Sequence, residues 1–162
     1  MIAASELAGF FTAHAVWSVS EGDPLAPMLV YTDASGERRL ERLTHPDAAA
    51  AIHYGRQRMT ANDMDAEHAA LIYADKISSD TKTADALLLE LRAYDAPNTE
   101  AVFAVPYTPL REGQFKIHPA RVVAWSDTIG ITVDRAFEAF FDGVSRHEKG
   151  AEIWAACRAE SG

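Results

Sequence analysis

Four apolar segments follow one another between residues 69 and 125, and this succession constrains the fold more than any other feature of the sequence. Turn-forming residues separate the segments, and the connections between them are short. Antiparallel neighbours tolerate such connections, whereas a parallel crossover needs about a dozen residues or more. The pattern therefore predicts a four-stranded antiparallel meander whose apolar cores are residues 71–73, 86–89, 101–103 and 122–125.

The second of these segments shows the clearest alternation. Leu87, Leu89 and Leu91 fall on one side of a strand, and the positions between them are more polar. Helix is the competing interpretation, because leucine, alanine, glutamate and arginine all favour it. Turn-forming residues bound the run closely at 78–80 and 95–98, and we therefore predict a strand with one apolar face.

The last two segments carry features that place them within a sheet. Residues 99–107 alternate apolar side chains, and Pro106 has no N–H for a ladder, which predicts a strand end or an edge at that point. The run 114–126 contains a second proline, and we expect that strand to be bent or interrupted near His118 and Pro119.

Helices and one hairpin are predicted around the meander. A first helix is expected with Ser5 as its N-cap, and residues 28–43 are expected to form a hairpin whose charged second strand lies at an edge. Residues 44–47 are predicted to start a second helix, with Pro46 near its first position and Asp47 in its first turn. The order is α-β-β-α-β-β-β-β-α, which is a single α+β domain spanning residues 1–162.

The last predicted helix has an aromatic face and two internal glycines. Thr132 is the expected N-cap. Gly143 and Gly150 each weaken a helix by about 1 kcal/mol relative to alanine, so we expect a kink or two separate segments. The aromatic side chains are numerous enough to predict that this helix also docks on a partner chain, with a homodimer as the preferred case.

Composition narrows the environment and the partners. The single cysteine, Cys157, excludes an intramolecular disulfide and a cysteine-rich zinc site. The N-terminus lacks the basic start of a secretory signal, and no apolar run approaches the length of a membrane span, which favours the cytoplasm. A net charge of −9 disfavours binding to nucleic acid or to an anionic membrane.

The densest polar cluster precedes the first strand of the meander, where Asp63 and Asp65 are followed by His68. Carboxylates with an imidazole suit a divalent cation or an acid–base pair, so these three residues are the catalytic candidates. The spacing departs from a calcium loop, because His68 stands where glycine is required and Ala74 where glutamate is required. A solvated loop explains the same residues, and no metal or cofactor is predicted.

No other motif of a common enzyme class occurs. The sequence has no glycine-flanked serine elbow and no phosphate loop, and the six histidines form no pair at the spacing of a zinc site. The function predicted first is therefore a non-catalytic protein-interaction module, which binds another protein or itself. The alternative is an enzyme, or a small-ligand or metal-binding protein, with a pocket between sheet and helices near His68.

Overall fold

The computed structural model describes residues 1–78, 81–96 and 99–159. Those ranges contain four α-helices and seven strands, in the class that the sequence predicts, α+β with an antiparallel sheet. The helices are α1 (Ile2–Ser20), α2 (Ala48–Ala61), α3 (Val133–Ser145) and α4 (Glu148–Cys157). The strands are β1 (Met28–Thr32), β2 (Arg38–Arg42), β3 (His68–Ser78), β4 (Thr83–Ala93), β5 (Ala101–Thr108), β6 (Lys116–Ile117) and β7 (Arg121–Trp125).

None of the helices in these ranges is both long enough and apolar enough to cross a membrane.

All the strands belong to one curled antiparallel sheet with the order β2-β1-β3-β4-β5, followed by β6 and β7, which both pair with β5. The meander is confirmed, and the hairpin joins it through the β1–β3 pair. The charged strand β2 lies at an edge, as predicted. The predicted numbers of strands and helices are wrong, because the last strand and the last helix are each broken into two elements.

The two faces of the sheet are covered by different helices. The face with Leu87, Leu89 and Leu91, here called the inner face, packs in one core with residues of α1, α3 and α4. The opposite face, here called the outer face, carries Leu71 and Tyr73 under α2. The alternation predicted from the sequence is confirmed, since the three leucines share one core.

Helix α1 is buried on nearly all sides because it packs against the sheet as well as against α3 and α4. A helix that is apolar all round is typical of such a position. It begins at Ile2, so the prediction of Ser5 as N-cap is wrong. Ser5 lies instead in the first turns of the helix, and its Oγ is buried without a hydrogen-bond partner among the described residues.

Three glycines set how closely the helices approach α1. A Cβ at Gly9 would collide with the backbone of Phe140, and a Cβ at Gly143 would collide with that of Glu6. Gly150 lies equally close to the backbone of Ala13. The expected break in the last helix is confirmed, but it falls between Gly143 and Gly150, and both glycines serve close packing within their helices.

Capping residues account for the ends of the remaining helices. Thr132 caps α3 as predicted, and its hydroxyl accepts a hydrogen bond from the Arg135 N–H at 3.2 Å. Asp47 is the N-cap of α2, with its carboxylate accepting from the Ala50 N–H at 2.7 Å. The prediction of Pro46 near the first helical position therefore placed the start of α2 too early.

Candidate functional site

The last strand of the predicted meander is interrupted between β6 and β7, and we call this interruption the bulge. The pairs Tyr107↔Ile117 and Ala104↔Arg121 leave residues 118–120 opposite residues 105–106, so three residues face two. The expected interruption at this point is confirmed. Bulges bend a strand and redirect a side chain, and they are frequent beside binding sites.

Pro106 lies directly across from this bulge, on the interior strand β5, so the prediction of a strand end or an edge is wrong. Its carbonyl accepts a hydrogen bond from the His118 N–H at 2.8 Å. The N and C=O of one strand residue point to the same side, so the missing donor of the proline faces the irregular segment. The missing N–H of Pro106 therefore costs the sheet few hydrogen bonds, and a proline is compatible with this position of β5.

The bulge places His118 in the wall of a cavity between the sheet and the two C-terminal helices. The ring is half-buried, and its Nε2 shares a hydrogen bond with the Thr108 hydroxyl at 2.9 Å. The cavity has a volume of about 650 Å³ and is mainly apolar. It is lined by Ile117, His118, Pro119, Ala120, Phe141, Trp154, Arg158 and Ala159.

The C-terminal helices and the residues that follow them complete the cavity. Trp154 is almost fully buried and packs edge-on against Phe141, at 5.7 Å between ring centroids. Arg158 forms an isolated parallel bridge with Ile117, and the Ala159 N–H donates to the Ile117 carbonyl at 2.8 Å. The position of the Arg158 side chain at the cavity therefore follows from backbone pairing with β6.

A second, polar depression lies on the other side of His118, where the β3–β4 hairpin approaches the end of β5. We call it the polar groove; its volume is about 460 Å³. Its charged side chains among the described residues are Lys76, Lys82, Asp85, Arg111, Glu112 and Arg121, and its other lining residues are Ile77, Thr83, Ala84, Pro106, Tyr107, Thr108 and His118.

One carboxylate organises much of the charge in the polar groove. Asp85 accepts from Lys76 Nζ at 3.1 Å and from Arg111 Nη2 at 3.0 Å. Tyr107 pairs with Asp85 across the strands. Burial raises the pKa of the Tyr107 hydroxyl, and the Asp85 charge adds to this effect. The phenol therefore stays protonated at neutral pH and can donate a hydrogen bond.

The predicted candidate His68 lies at the other end of the sheet. His68 pairs with Ala93 near one end of β4, and Asp85 near the other end of β4 borders the polar groove. At the usual rise of a strand, the two ends are about 25 Å apart. Nε2 of His68 shares a hydrogen bond of 2.8 Å with the Thr32 hydroxyl. Burial lowers the pKa of His68, and the neighbouring Glu67 opposes that effect.

The structure does not place Asp63 and Asp65 in one cavity wall with His68. Asp63 accepts from Arg58 Nε at 2.8 Å, and Asp65 is exposed with a left-handed backbone, φ 53°. The cavity beside His68, about 400 Å³, is lined instead by Met1, Ala3, Ala4, Glu67, Ala93, Tyr94 and Asp95. In the described ranges no group of three or more His, Cys, Asp or Glu side chains could hold a metal ion. A catalytic role for the three candidates stays a prediction.

Sequence reasoning did not select His118 as a site residue. The available signal was the interruption of an apolar strand by His118 and Pro119, combined with the aromatic face of the last helix. An imidazole that is hydrogen-bonded to a hydroxyl can activate it as a nucleophile. In such sites a third group normally orients the imidazole. No such third group contacts the His118 side chain within the described part of the chain.

No protein-family model matches this chain, and neither a curated protein nor a solved structure resembles it significantly.

Proposed function

We propose that this protein binds a small molecule with an apolar body in the cavity beside Phe141 and Trp154. The observation that carries the proposal is a cavity of about 650 Å³ with aromatic walls and few polar groups. Small-molecule sites typically have volumes of roughly 300–1,000 Å³, are mainly apolar, and use a few polar groups to orient the ligand. His118 and Arg158 are the polar groups of this cavity.

The position of the cavity also supports binding. Its walls come from a strand bulge, two helices and the residues after α4, so several rigid elements hold the lining residues in place. Such a site is largely preformed, which reduces the entropic cost of ordering side chains around a ligand. The proposal retains the alternative function predicted from the sequence, with the pocket near His118 rather than near His68.

A neutral fluorescent probe tests the proposal. N-phenyl-1-naphthylamine has an apolar body and no charge, and its emission rises when it leaves water. We expect saturable binding to the wild-type protein and at least a tenfold weaker affinity for Ala120→Phe, whose ring would occupy the cavity. Ala155→Phe is the matched control, because Ala155 is exposed on α4 and does not line the cavity.

Circular dichroism and urea unfolding establish that both variants remain folded. Energy transfer to the probe should be smaller for Trp154→Phe than for Trp17→Phe, because only Trp154 borders the cavity. Wild-type protein without saturable binding, or Ala120→Phe with wild-type affinity, would contradict the proposal.

Protein interaction, the function predicted first from the sequence, is the second candidate. Val122 and Val123 on β7 are 37% and 56% exposed, and they form an apolar surface at the edge of the sheet. Val123 is unpaired at a separate register shift within β7, which disfavours addition of a further strand and favours contact through side chains. The predicted homodimer through the last helix has less support, because Phe140 and Trp154 lie in the chain's own core.

Light scattering tests self-association at this surface. If it is an interface between copies, wild-type protein should show a dimer mass at high concentration and Val123→Asp a monomer mass. A monomer mass for the wild type under the same conditions would remove self-association as a function.

A further inference from the structure

The apolar cavity and the polar groove share one wall residue. His118 lines both, and its hydrogen bond with Thr108 connects it to the end of β5. A molecule in the apolar cavity that extends past His118 therefore enters an environment of different chemistry. The two compartments together offer an apolar part and a polar part to one ligand.

The described side chains around this wall carry an excess of positive charge. Four of the groove residues are cationic and two are carboxylates, although the whole chain carries a net charge of −9. Asp85 already accepts from Lys76 and Arg111. Arg121 in the groove and Arg158 at the apolar cavity make no ion pair with any described residue, so their guanidinium groups remain available to an external anion.

We propose that the ligand is a small amphipathic anion, whose apolar body occupies the cavity and whose carboxylate, sulfonate or phosphate lies beside His118, where Arg158 borders the cavity and Arg121 borders the polar groove. Arginine presents a planar set of donors that matches such oxyanions. The inference rests on the proposed function, since it assigns a ligand class to the same cavity.

Charge complementarity on an otherwise acidic protein is what selects an anion. The net negative charge of the chain repels anions at long range. The cationic side chains act only close to the apolar cavity, so they favour anions that also have an apolar body over other anions. A neutral ligand of the same shape would gain the apolar contacts and leave both guanidinium groups solvated. The structure therefore favours the charged member of such a pair.

Two fluorescent probes with the same aromatic body separate the two contributions. 1-Anilinonaphthalene-8-sulfonate is negatively charged, and N-phenyl-1-naphthylamine lacks the sulfonate. At low ionic strength we expect the wild-type protein to bind the sulfonate at least tenfold more tightly than the neutral probe. The double variant R121Q/R158Q should lose most of this preference while it binds the neutral probe with unchanged affinity.

The control is R39Q/R135Q, which lowers the net charge equally at positions that do not line either compartment. It should keep the wild-type preference. Added salt should weaken binding of the sulfonate and leave the neutral probe unaffected, because screening acts on the charged pair.

The outcomes distinguish the inference from the proposed function. Binding of both probes with equal affinity to the wild type, or an equal loss for both in R121Q/R158Q, would overturn the anion assignment and leave the cavity as a binding site. Absence of binding for both probes would overturn the proposed function and the anion assignment together. A preference lost equally in the control variant would assign the effect to net charge and overturn the roles of Arg121 and Arg158.

Discussion

Among the described residues, three helices pack on the inner face of the sheet and one on the outer face, and different interactions hold the two sets. On the inner side, α1 meets α3 and α4 through glycines at which backbone lies against backbone. On the outer side, α2 is attached by apolar side chains and by charged hydrogen bonds. Closely packed backbone has little freedom to adjust, whereas side chains can move, so the two sides should respond differently to added volume.

A buried carboxylate shows how the outer side is held. Glu90 of β4 accepts from Arg56 Nη2 at 2.6 Å and from the Tyr73 hydroxyl at 2.6 Å. Burial raises the pKa of Glu90, but the hydrogen bonds from Arg56 and Tyr73 outweigh burial and leave the pKa below its usual value. Burial and the Glu90 hydrogen bond raise the pKa of Tyr73 to about 12. The network therefore fixes α2 over the sheet at neutral pH.

The charged groups of the inner side lie near its rim. Glu6 of α1 pairs with Arg38 at 3.1 Å and also with Arg146. His147 accepts the Gly150 N–H at Nδ1, and its Nε2 lies 3.4 Å from Nδ1 of His14. Both histidines thus sit where the first helix meets the last two.

The largest expected difference concerns glycine substitutions on the two sides. Gly143→Ala would press a methyl group into the backbone of Glu6 on α1, and we expect a loss of about 3 kcal/mol in unfolding free energy. Gly55→Ala on α2 would meet only the side-chain ends of Leu71 and Leu43. Its cost should stay below about 1 kcal/mol, because the gain in helix propensity offsets the crowding.

Urea unfolding at pH 7 measures both variants against the wild type. Comparable losses for the two glycine variants would show that the inner and outer helices tolerate added volume equally.

A smaller effect is expected for the buried carboxylate of the outer side. Glu90→Gln weakens the charged hydrogen bonds from Arg56 and Tyr73 and should cost about 2 kcal/mol at pH 7. Glu41→Gln, which changes a carboxylate more exposed than that of Glu90 in its pair with Arg58, should cost less than about 0.5 kcal/mol.

The contribution of Glu90 to stability should depend on pH in a definite direction. The folded-state pKa of Glu90 is depressed, so its stabilisation is present above the ordinary value of 4.5 and is lost as pH falls through the folded pKa. Urea midpoints should accordingly differ between wild type and Glu90→Gln at pH 7 and converge in acid. A difference that persists unchanged at pH 3 would assign the loss to packing rather than to charge.

The smallest expected effect concerns acidification of the inner side. Burial lowers the pKa of His14, and the charges of His147 and Arg42 lower it further. The unfolded chain then binds more protons below the ordinary value of 6.5, so stability should fall as pH drops from 6.5 through the folded pKa of His14. We expect a contribution below about 1 kcal/mol at this partly buried position.

Urea midpoints at pH 7.5 and 5.5 test this effect. His14→Gln should reduce the loss of stability between the two values, and His53→Gln, at an exposed position of α2, should leave it unchanged. Identical pH profiles for the wild type and His14→Gln would show that His14 does not resist protonation in the folded protein.

Much of the sheet could be predicted because the evidence for it is local. The alternation of Leu87, Leu89 and Leu91 indicates which side of a strand is buried, and it does so without knowledge of the elements that cover that side. Thr132 caps a helix through a neighbouring N–H, and the break near Pro119 follows from a residue that cannot continue a ladder. These features depend on spacing within one segment, which the sequence states directly.

The candidate site required the tertiary structure. The bulge at His118 depends on the register between β5 and the strand that follows it, and Arg158 reaches the cavity through pairing with Ile117, about forty residues earlier. The sequence around Gly143 does not show whether this glycine only weakens a helix or also allows the backbone of another helix to approach. The sequence by itself determined which segments are strands and helices and which sides they bury. Contacts between distant segments decided where their polar side chains converge, because register and helix separation are properties of pairs of segments.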